Sequence, residues 1–169
     1  MAAFVYVKVI RLVNYYIDCT STVLNVSMEP PLFCYGTLRS SLIMQKVTGH
    51  KFDGVDAILE GYAIFRVRGT EYPGIIQRKG SSVEGILYRG LDDNILHILD
   101  TFEGDQYYRD IVNTASQNDT NVKAYAYIIK ESCQDILTND SWNYDHFLHH
   151  EIDRFLHRFV EKRRTRYSF

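Results

Sequence analysis

The chain has 169 residues, which is enough for one domain with its own core and without disulfides or metals. Its composition, 46% hydrophobic and 24% charged, is that of a globular protein and excludes a disordered chain. Nineteen Lys and Arg stand against 21 Asp and Glu, and the formal charge of -2 provides no overall attraction to nucleic acid or anionic lipid. We therefore expect a small molecule as the partner, and neither nucleic acid nor a membrane.

Residues 1–27 form an apolar N-terminal extension of unknown role. A secretory signal has a basic start followed by an unbroken apolar run, whereas Lys8 and Arg11 lie inside this segment. We predict a single domain over residues 28–169, with Met28 as a hypothetical alternative start. No stretch approaches ~18 uninterrupted apolar residues, so no membrane-spanning helix is expected. Three widely spaced cysteines without a CxxC pair favour a reducing, cytoplasmic location.

The first predicted elements surround a turn. PPLFCY is typical of a short buried strand, and RSSLIMQKV is typical of a helix with Ser40 or Ser41 as its N-cap. The turn between them consists of Tyr35, Gly36, Thr37 and Leu38. Gly36 lets the backbone come close to a ligand, and successive N–H groups entering a helix form a concavity for an anion. This turn is a candidate ligand-binding corner.

A meander of strands is predicted next, in AILEGYAIFRV, in the second half of RGTEYPGII and in SSVEGILYRG. Two more strands, YYRDIVNT and VKAYAYII, flank the turn-forming stretch ASQNDTN, for a total of about six. Between the two groups the apolar period becomes helical in LDDNILHILDTFEG. We expect this helix to begin at Asp92 or Asp93 and to end at Gly104. Its predicted apolar face consists of Leu91, Ile95, Ile98, Leu99 and Phe102.

The last predicted element is one helix over residues 141–164, capped by Ser141. Its core-facing stripe consists of Leu148, Ile152, Phe155 and Phe159. The opposite side carries His146, His150, Asp153 and His157. These could in principle hold a metal, but one helix seldom supplies a closed tetrahedral site, so we interpret them as a solvated polar face. We interpret residues 162–166 as a basic tail, with nucleic-acid contact as the weaker alternative.

Most catalytic templates are absent, including GxSxG, the Walker loop, GxGxxG and HExxH. Cys34 is a conceivable nucleophile, but a cysteine inside LFCY faces the core more often than solvent. Glu103 is the remaining candidate, because it ends a predicted helix where the dipole disfavours a further negative charge. Partial burial beside Phe102 would also raise its pKa, as a general base working near neutral pH requires. The alternative is a solvent-facing glutamate in a loop.

Six blocks of the chain resemble the gamma-glutamylcyclotransferase superfamily, and most closely its avirulence-induced-gene-like branch. They are LFCYGTL, LEGYAIFRVRGTEYPGI, SVEGILYRGL, ILDTFEGDQYYR, VKAYAYII and WNYDHF, which occur in the family's order and at similar spacing. The resemblance covers about residues 31–160. It implies an α+β fold, a small mixed β-barrel flanked by helices.

The resemblance also implies a reaction: the substrate's α-amine attacks its own γ-carbonyl, which releases 5-oxoproline and a free amine without any cofactor or metal. Glu103 matches the family's catalytic glutamate, and the turn from Tyr35 to Leu38 matches its substrate-binding loop. Tyr108 and Tyr127 match family tyrosines, for which we expect hydrogen bonds to substrate or to Glu103, or else a packing role in the core. We expect a monomer or weak homodimer. The alternative function is a non-catalytic metabolite-binding or stress-response module on the same fold.

Overall fold

The computed structural model describes residues 29–117 and 119–161, so the N-terminal extension and the basic tail lie outside the described residues. The strands are β1 (Leu32–Cys34), β2 (Gly54–Arg66), β3 (Pro73–Tyr88), β4 (Tyr107–Ser116) and β5 (Asp119–Ile129). The α-helices are α1 (Ser41–Thr48), α2 (Asp93–Glu103), α3 (Tyr144–His150) and α4 (Ile152–Phe155). Two 3-10 turns, Thr37–Arg39 and Glu131–Ile136, and a π-helical segment, Leu156–Glu161, complete the described elements.

The five strands form a closed barrel in the order β1-β3-β2-β4-β5. All neighbours are antiparallel except β1 and β5, whose parallel pairing of Leu32 with Tyr125 closes the barrel. The predicted α+β fold with a mixed barrel and flanking helices is confirmed. The prediction of about six strands is wrong, because the two segments expected after Tyr72 are one 16-residue strand, β3, that pairs along the length of β2.

Side chains alternate in direction along each strand, and this alternation divides the buried residues into two clusters. On β5, Ala124, Ala126 and Ile128 belong to the cluster that fills the barrel, whereas Tyr127 and Ile129 belong to the cluster between barrel and helices. Because successive strand residues point to opposite faces, both faces of β5 are buried. The small alanines leave room inside the narrow barrel for larger side chains from the other strands.

The helix α2 begins and ends where the sequence predicts. The Asp92 carboxylate caps it by accepting from the backbone N–H of Ile95 at 2.9 Å. Gly104 follows the last helical residue at a φ of 77°, a left-handed value that glycine adopts without steric cost. The predicted apolar face is wrong at one residue. Ile98 is 40% exposed, and Leu96 is buried instead.

The C-terminal helical region is not one helix. The N-cap of α3 is Asn143, not Ser141, because the Asn143 side chain accepts from the N–H of His146 at 2.8 Å. The helix breaks at Glu151, where the chain leaves α3 and enters α4 and then the π-helical segment. At the break, Glu151 pairs with Arg66 of β2 through two hydrogen bonds of 3.1 and 3.2 Å. Within the described residues, no helix is long and apolar enough to cross a membrane.

Candidate active site

A cavity lies where β1 ends, beside the start of β3, the end of α2 and the outward face of β5. It is small and partly open to solvent. Its lining consists of Phe33, Cys34, Tyr35, Gly36, Thr37, Leu38, Tyr72, Pro73, Glu103, Tyr107 and Tyr127. We call it the Glu103 cavity. The fold thus brings the predicted turn and the predicted carboxylate together although about 65 residues separate them in the chain.

The turn from Tyr35 to Leu38 is held against the start of β3. A side chain on Gly36 would place its Cβ only 3.0 Å from Cγ of Pro73, so it would fit only if Pro73 or the turn moved by a few tenths of an ångström. The turn continues into the 3-10 helix, where Arg39 donates its N–H to the carbonyl of Gly36 at 3.0 Å. Among the described residues, no carbonyl or side chain accepts from the N–H groups of Gly36, Thr37 or Leu38. These three backbone donors belong to residues that line the cavity.

Glu103 reaches the cavity because it is the last residue of α2. The helix packs its buried residues Ile95, Leu96 and Leu99 into the core, which fixes the position of its final turn. Gly104 then turns the chain away from the helix axis and donates its N–H to the carbonyl of Asp100 at 3.1 Å. The carboxylate is therefore carried by a rigid element and not by a loop, which a precisely placed acid or base requires.

The electrostatic influence of Glu103 extends over the cavity walls. Burial raises the pKa of the Cys34 thiol well above its usual value, and the negative charge of Glu103 raises it further. Burial and the same charge also raise the pKa of Tyr35. The thiolate and phenolate forms of these side chains are thus disfavoured, and Cys34 lacks the lowered pKa of an activated nucleophile.

Four tyrosines line the cavity, and three of them donate their hydroxyl protons to other groups of the protein. Tyr35 donates to the carbonyl of Tyr127 at 2.7 Å, and Tyr107 donates to the carbonyl of Pro73 at 2.8 Å. The hydroxyl of Tyr127 donates to Oδ1 of Asp100 at 2.8 Å. These bonds tie β1, β3, β4, β5 and α2 together around the cavity. These three tyrosines therefore help to set the shape of the cavity, and their hydroxyl protons are already donated to protein acceptors.

Tyr108 lies elsewhere. It is 42% exposed, whereas its neighbour Tyr107 is buried and lines the cavity. The two residues are adjacent on β4, so their side chains point to opposite faces of the sheet. The structure therefore does not bring Tyr108 together with Glu103. Tyr107 occupies the place in the cavity wall that the sequence predicts for Tyr108. Tyr127 does line the cavity, but its hydroxyl bonds to Asp100 and does not bond to Glu103.

Asp100 and Arg109 hold the hydroxyl of Tyr127 in place through hydrogen bonds. The Arg109 guanidinium bonds to both carboxylate oxygens of Asp100, at 2.9 and 3.2 Å. Burial alone would raise the pKa of Asp100, but the hydrogen bonds from Arg109 and Tyr127 outweigh it and lower that pKa. Asp100 stays ionised and keeps accepting from the Tyr127 hydroxyl. The sequence analysis did not predict this pair. Asp100 could have been found from its spacing, because it precedes Glu103 by three residues and therefore lies near it on the surface of α2.

The histidines of the C-terminal helical region take no part in this cavity. His146, His150, Asp153 and His157 are all exposed, as expected of a solvated polar face. Among the described residues no group of three or more His, Cys, Asp or Glu side chains is placed to hold a metal ion. Sequence analysis also missed Tyr72 and Pro73 as lining residues, although both lie in the block RGTEYPGI that carries the family resemblance.

Comparison with known proteins agrees with this geometry. The family model for "Gamma-glutamyl cyclotransferase, AIG2-like" matches residues 32–144. The chain belongs to this family. AIG2-like protein C of Arabidopsis thaliana is 28% identical over 139 residues, which cover 79% of each chain. AIG2-like protein B of the same plant is 27% identical over 133 residues, which cover 77% of this chain and 76% of the relative.

Two solved structures share the fold of this chain. A solution structure of an Arabidopsis thaliana protein superposes with a TM-score of 0.62 at 23% identity and covers 88% of this chain and 89% of that chain. A structure named gamma-glutamyl cyclotransferase has a TM-score of 0.53 at 18% identity and covers 60% of this chain and 66% of that one. The family match includes the turn from Tyr35 to Leu38 and Glu103, and it ends before α4.

Proposed function

We propose that this protein is a gamma-glutamylcyclotransferase, which converts a gamma-glutamyl compound into 5-oxoproline and a free amine or amino acid. One observation carries the proposal: Glu103 and the turn from Tyr35 to Leu38 line the same cavity. Membership of the family supports the reaction type. The identity of the amine that leaves is a separate question.

The proposed reaction needs a base, and Glu103 fills that role. Its carboxylate takes a proton from the substrate's α-ammonium group, and the free amine then attacks the γ-carbonyl carbon of the same molecule. A C–N bond forms and closes the five-membered ring, while an electron pair moves onto the carbonyl oxygen. As this oxyanion collapses, the original amide C–N bond breaks and Glu103 returns the proton to the departing nitrogen. The ring nitrogen, which carried two hydrogens when it attacked, loses one of them to the solvent and becomes the lactam N–H. The nucleophile comes from the substrate, so neither Ser nor Cys is needed.

The turn from Tyr35 to Leu38 supplies what the substrate itself cannot. The N–H groups of Gly36, Thr37 and Leu38 have no acceptor among the described residues, so they are available to a substrate carboxylate or to the developing oxyanion. Fixing the γ-carbonyl beside the α-amine turns the attack into a well-oriented intramolecular step. The engaged tyrosines around the turn keep these donors in place before substrate binds.

Product analysis tests the proposal. The full-length protein is incubated with a panel of gamma-glutamyl amino acids, peptides and amines, and 5-oxoproline is measured by mass spectrometry against a buffer blank. Enzyme-dependent release of 5-oxoproline together with an equal amount of amine is the expected result. Saturable binding of these compounds without any product would overturn the proposal in favour of the non-catalytic binding module.

A further inference from the structure

A second cavity adjoins the Glu103 cavity on the side of the C-terminal helices. Like its neighbour, it is small and partly open to solvent. Its lining consists of Thr37, Tyr72, Phe102, Glu103, Tyr107, Phe155 and Phe159. We call it the aromatic cavity. Both cavities share Thr37, Tyr72, Glu103 and Tyr107, so they meet at the Glu103 carboxylate.

The two cavities differ in chemistry. The Glu103 cavity is lined by the residues of the turn with their backbone donors, whereas five of the seven residues that line the aromatic cavity are aromatic. Phe159 lies edge-on to Tyr72, with ring centroids 5.4 Å apart, and stacks on Phe155 at 5.1 Å. Phe102 lies edge-on to Phe155 at 6.4 Å. Among the residues that line this cavity, Glu103 alone carries a charge.

The wall formed by α4 is fixed in place by ion pairs beside Tyr72. The buried carboxylate of Glu71 accepts from Nε of Arg154 at 2.6 Å and lies 3.8 Å from Arg158. The pairing of Glu151 with Arg66 holds the start of α4 against β2. Phe155 and Phe159 are therefore carried on a segment whose position is specified, although it lies outside residues 32–144 of the family match.

The chemistry of the reaction determines what this cavity can hold. This step rests on the proposed function: Glu103 returns its proton to the departing nitrogen, so that nitrogen must lie beside the carboxylate. The γ-glutamyl half occupies the side with the backbone donors. The substituent of the departing nitrogen must then extend into other space that borders Glu103, and the aromatic cavity borders it.

We propose that the aromatic cavity is the leaving-group subsite, and that the preferred substrates are gamma-glutamyl amides of apolar, especially aromatic, amines. Ring surfaces favour an apolar or aromatic group. An anionic leaving group would lose its hydration there and, among the lining residues, would meet only the like charge of Glu103. The family match includes every residue of the Glu103 cavity, whereas Phe155 and Phe159 lie beyond its last residue, 144.

The test compares two substrates that differ only in the ring. The gamma-glutamyl amides of 2-phenylethylamine and of ethylamine have departing nitrogens of similar basicity. Partial burial of a phenyl group in this partly open cavity contributes on the order of 1 kcal/mol, so kcat/KM is expected to be about fivefold higher for the phenylethyl compound. Phe159→Ala should reduce this ratio several-fold. Phe65→Ala, a partly buried aromatic on β2 that lines neither cavity, should leave it unchanged.

Binding to the Glu103→Gln protein, measured by calorimetry, separates the two proposals. If 5-oxoproline forms but the two amides react equally well, the subsite is wrong and the proposed function stands. If no product forms but the phenylethyl amide still binds about fivefold more tightly than the ethyl amide, the proposed function is wrong and the aromatic subsite stands. Equal binding and equal turnover would overturn the subsite, whether or not the Phe159 variant folds.

Discussion

Replacing Gly36 with alanine tests how closely the binding turn is fitted to the barrel. The new Cβ would lie 3.0 Å from Cγ and 3.1 Å from Cδ of Pro73, whereas ordinary contacts begin at 3.4 Å. The turn or the proline must therefore move by about 0.4 Å, the difference between 3.4 and 3.0 Å. Pro73 cannot yield freely, because its ring is rigid and its carbonyl accepts from Tyr107.

Both stability and catalysis should respond to this movement. Overpacking of this kind typically costs about 1–3 kcal/mol in the free energy of unfolding. A misplacement of about 1 Å can cost a factor of about 100 in rate, so 0.4 Å predicts a five- to tenfold loss in kcat/KM, on the order of that sensitivity. Thermal or urea unfolding measures the first effect. Release of 5-oxoproline, well below the unfolding temperature, measures the second.

Gly80→Ala is the matched control. A Cβ at Gly80 meets no atom within 4 Å, but the φ of 80° is unfavourable for alanine. This variant should lose about 1–2 kcal/mol of stability with an undisturbed cavity, so its kcat/KM should stay at the wild-type value. Wild-type kcat/KM in the Gly36 variant, or an equal loss in the Gly80 variant, would refute the argument that the fit of the turn controls catalysis.

Two further predictions concern the supports of the cavity. Tyr35→Phe removes the donor to the buried carbonyl of Tyr127 and should lower the free energy of unfolding by about 1–3 kcal/mol. Tyr108→Phe changes an exposed side chain and should alter the free energy of unfolding by less than about 0.5 kcal/mol. Similar urea midpoints for the two variants would contradict this prediction. The pKa of Asp100 is lower in the folded state than in the unfolded state. Its ionised form therefore stabilises the protein at pH values above its unfolded-state pKa, about 3.9. This contribution is lost as the pH falls through the folded-state pKa. Asp100→Asn should therefore be less stable than the wild type at pH 7, and the gap should close on acidification below about pH 4; a gap that persists at pH 2 would show that the charge is not responsible.

Local patterns predict α2 and its Glu103 well, because a 3.6-residue apolar period, an Asp cap and a terminal glycine all act within one segment. The turn at Gly36 is predictable for the same reason. The choice between Tyr107 and Tyr108 depends on the register of β4, and a shift of one residue reverses which side chain faces inward. A run of two tyrosines gives no local sign of that register.

The C-terminal region shows a different limit of sequence interpretation. Its apolar stripe predicts a helix, and Phe155 is buried as expected. At the break, the Glu151 carboxylate pairs with Arg66 of β2, which lies 85 residues away in the chain. A long-range ion pair leaves no periodic signal in the chain. The aromatic cavity was not predicted for the same reason, because its wall forms only when Phe159 meets Tyr72 across the fold.

The most direct test of the proposed reaction is 5-oxoproline release by the Glu103→Gln protein. The substituted amide would keep the size of the side chain but could neither accept the α-ammonium proton nor return it to the departing nitrogen. We expect product formation to fall by at least about a hundredfold, with substrate binding and the unfolding midpoint retained. Glu131→Gln, which removes an exposed carboxylate away from both cavities, should react like the wild type. Wild-type turnover by the Glu103→Gln protein would contradict the assignment of Glu103 as the acid and base.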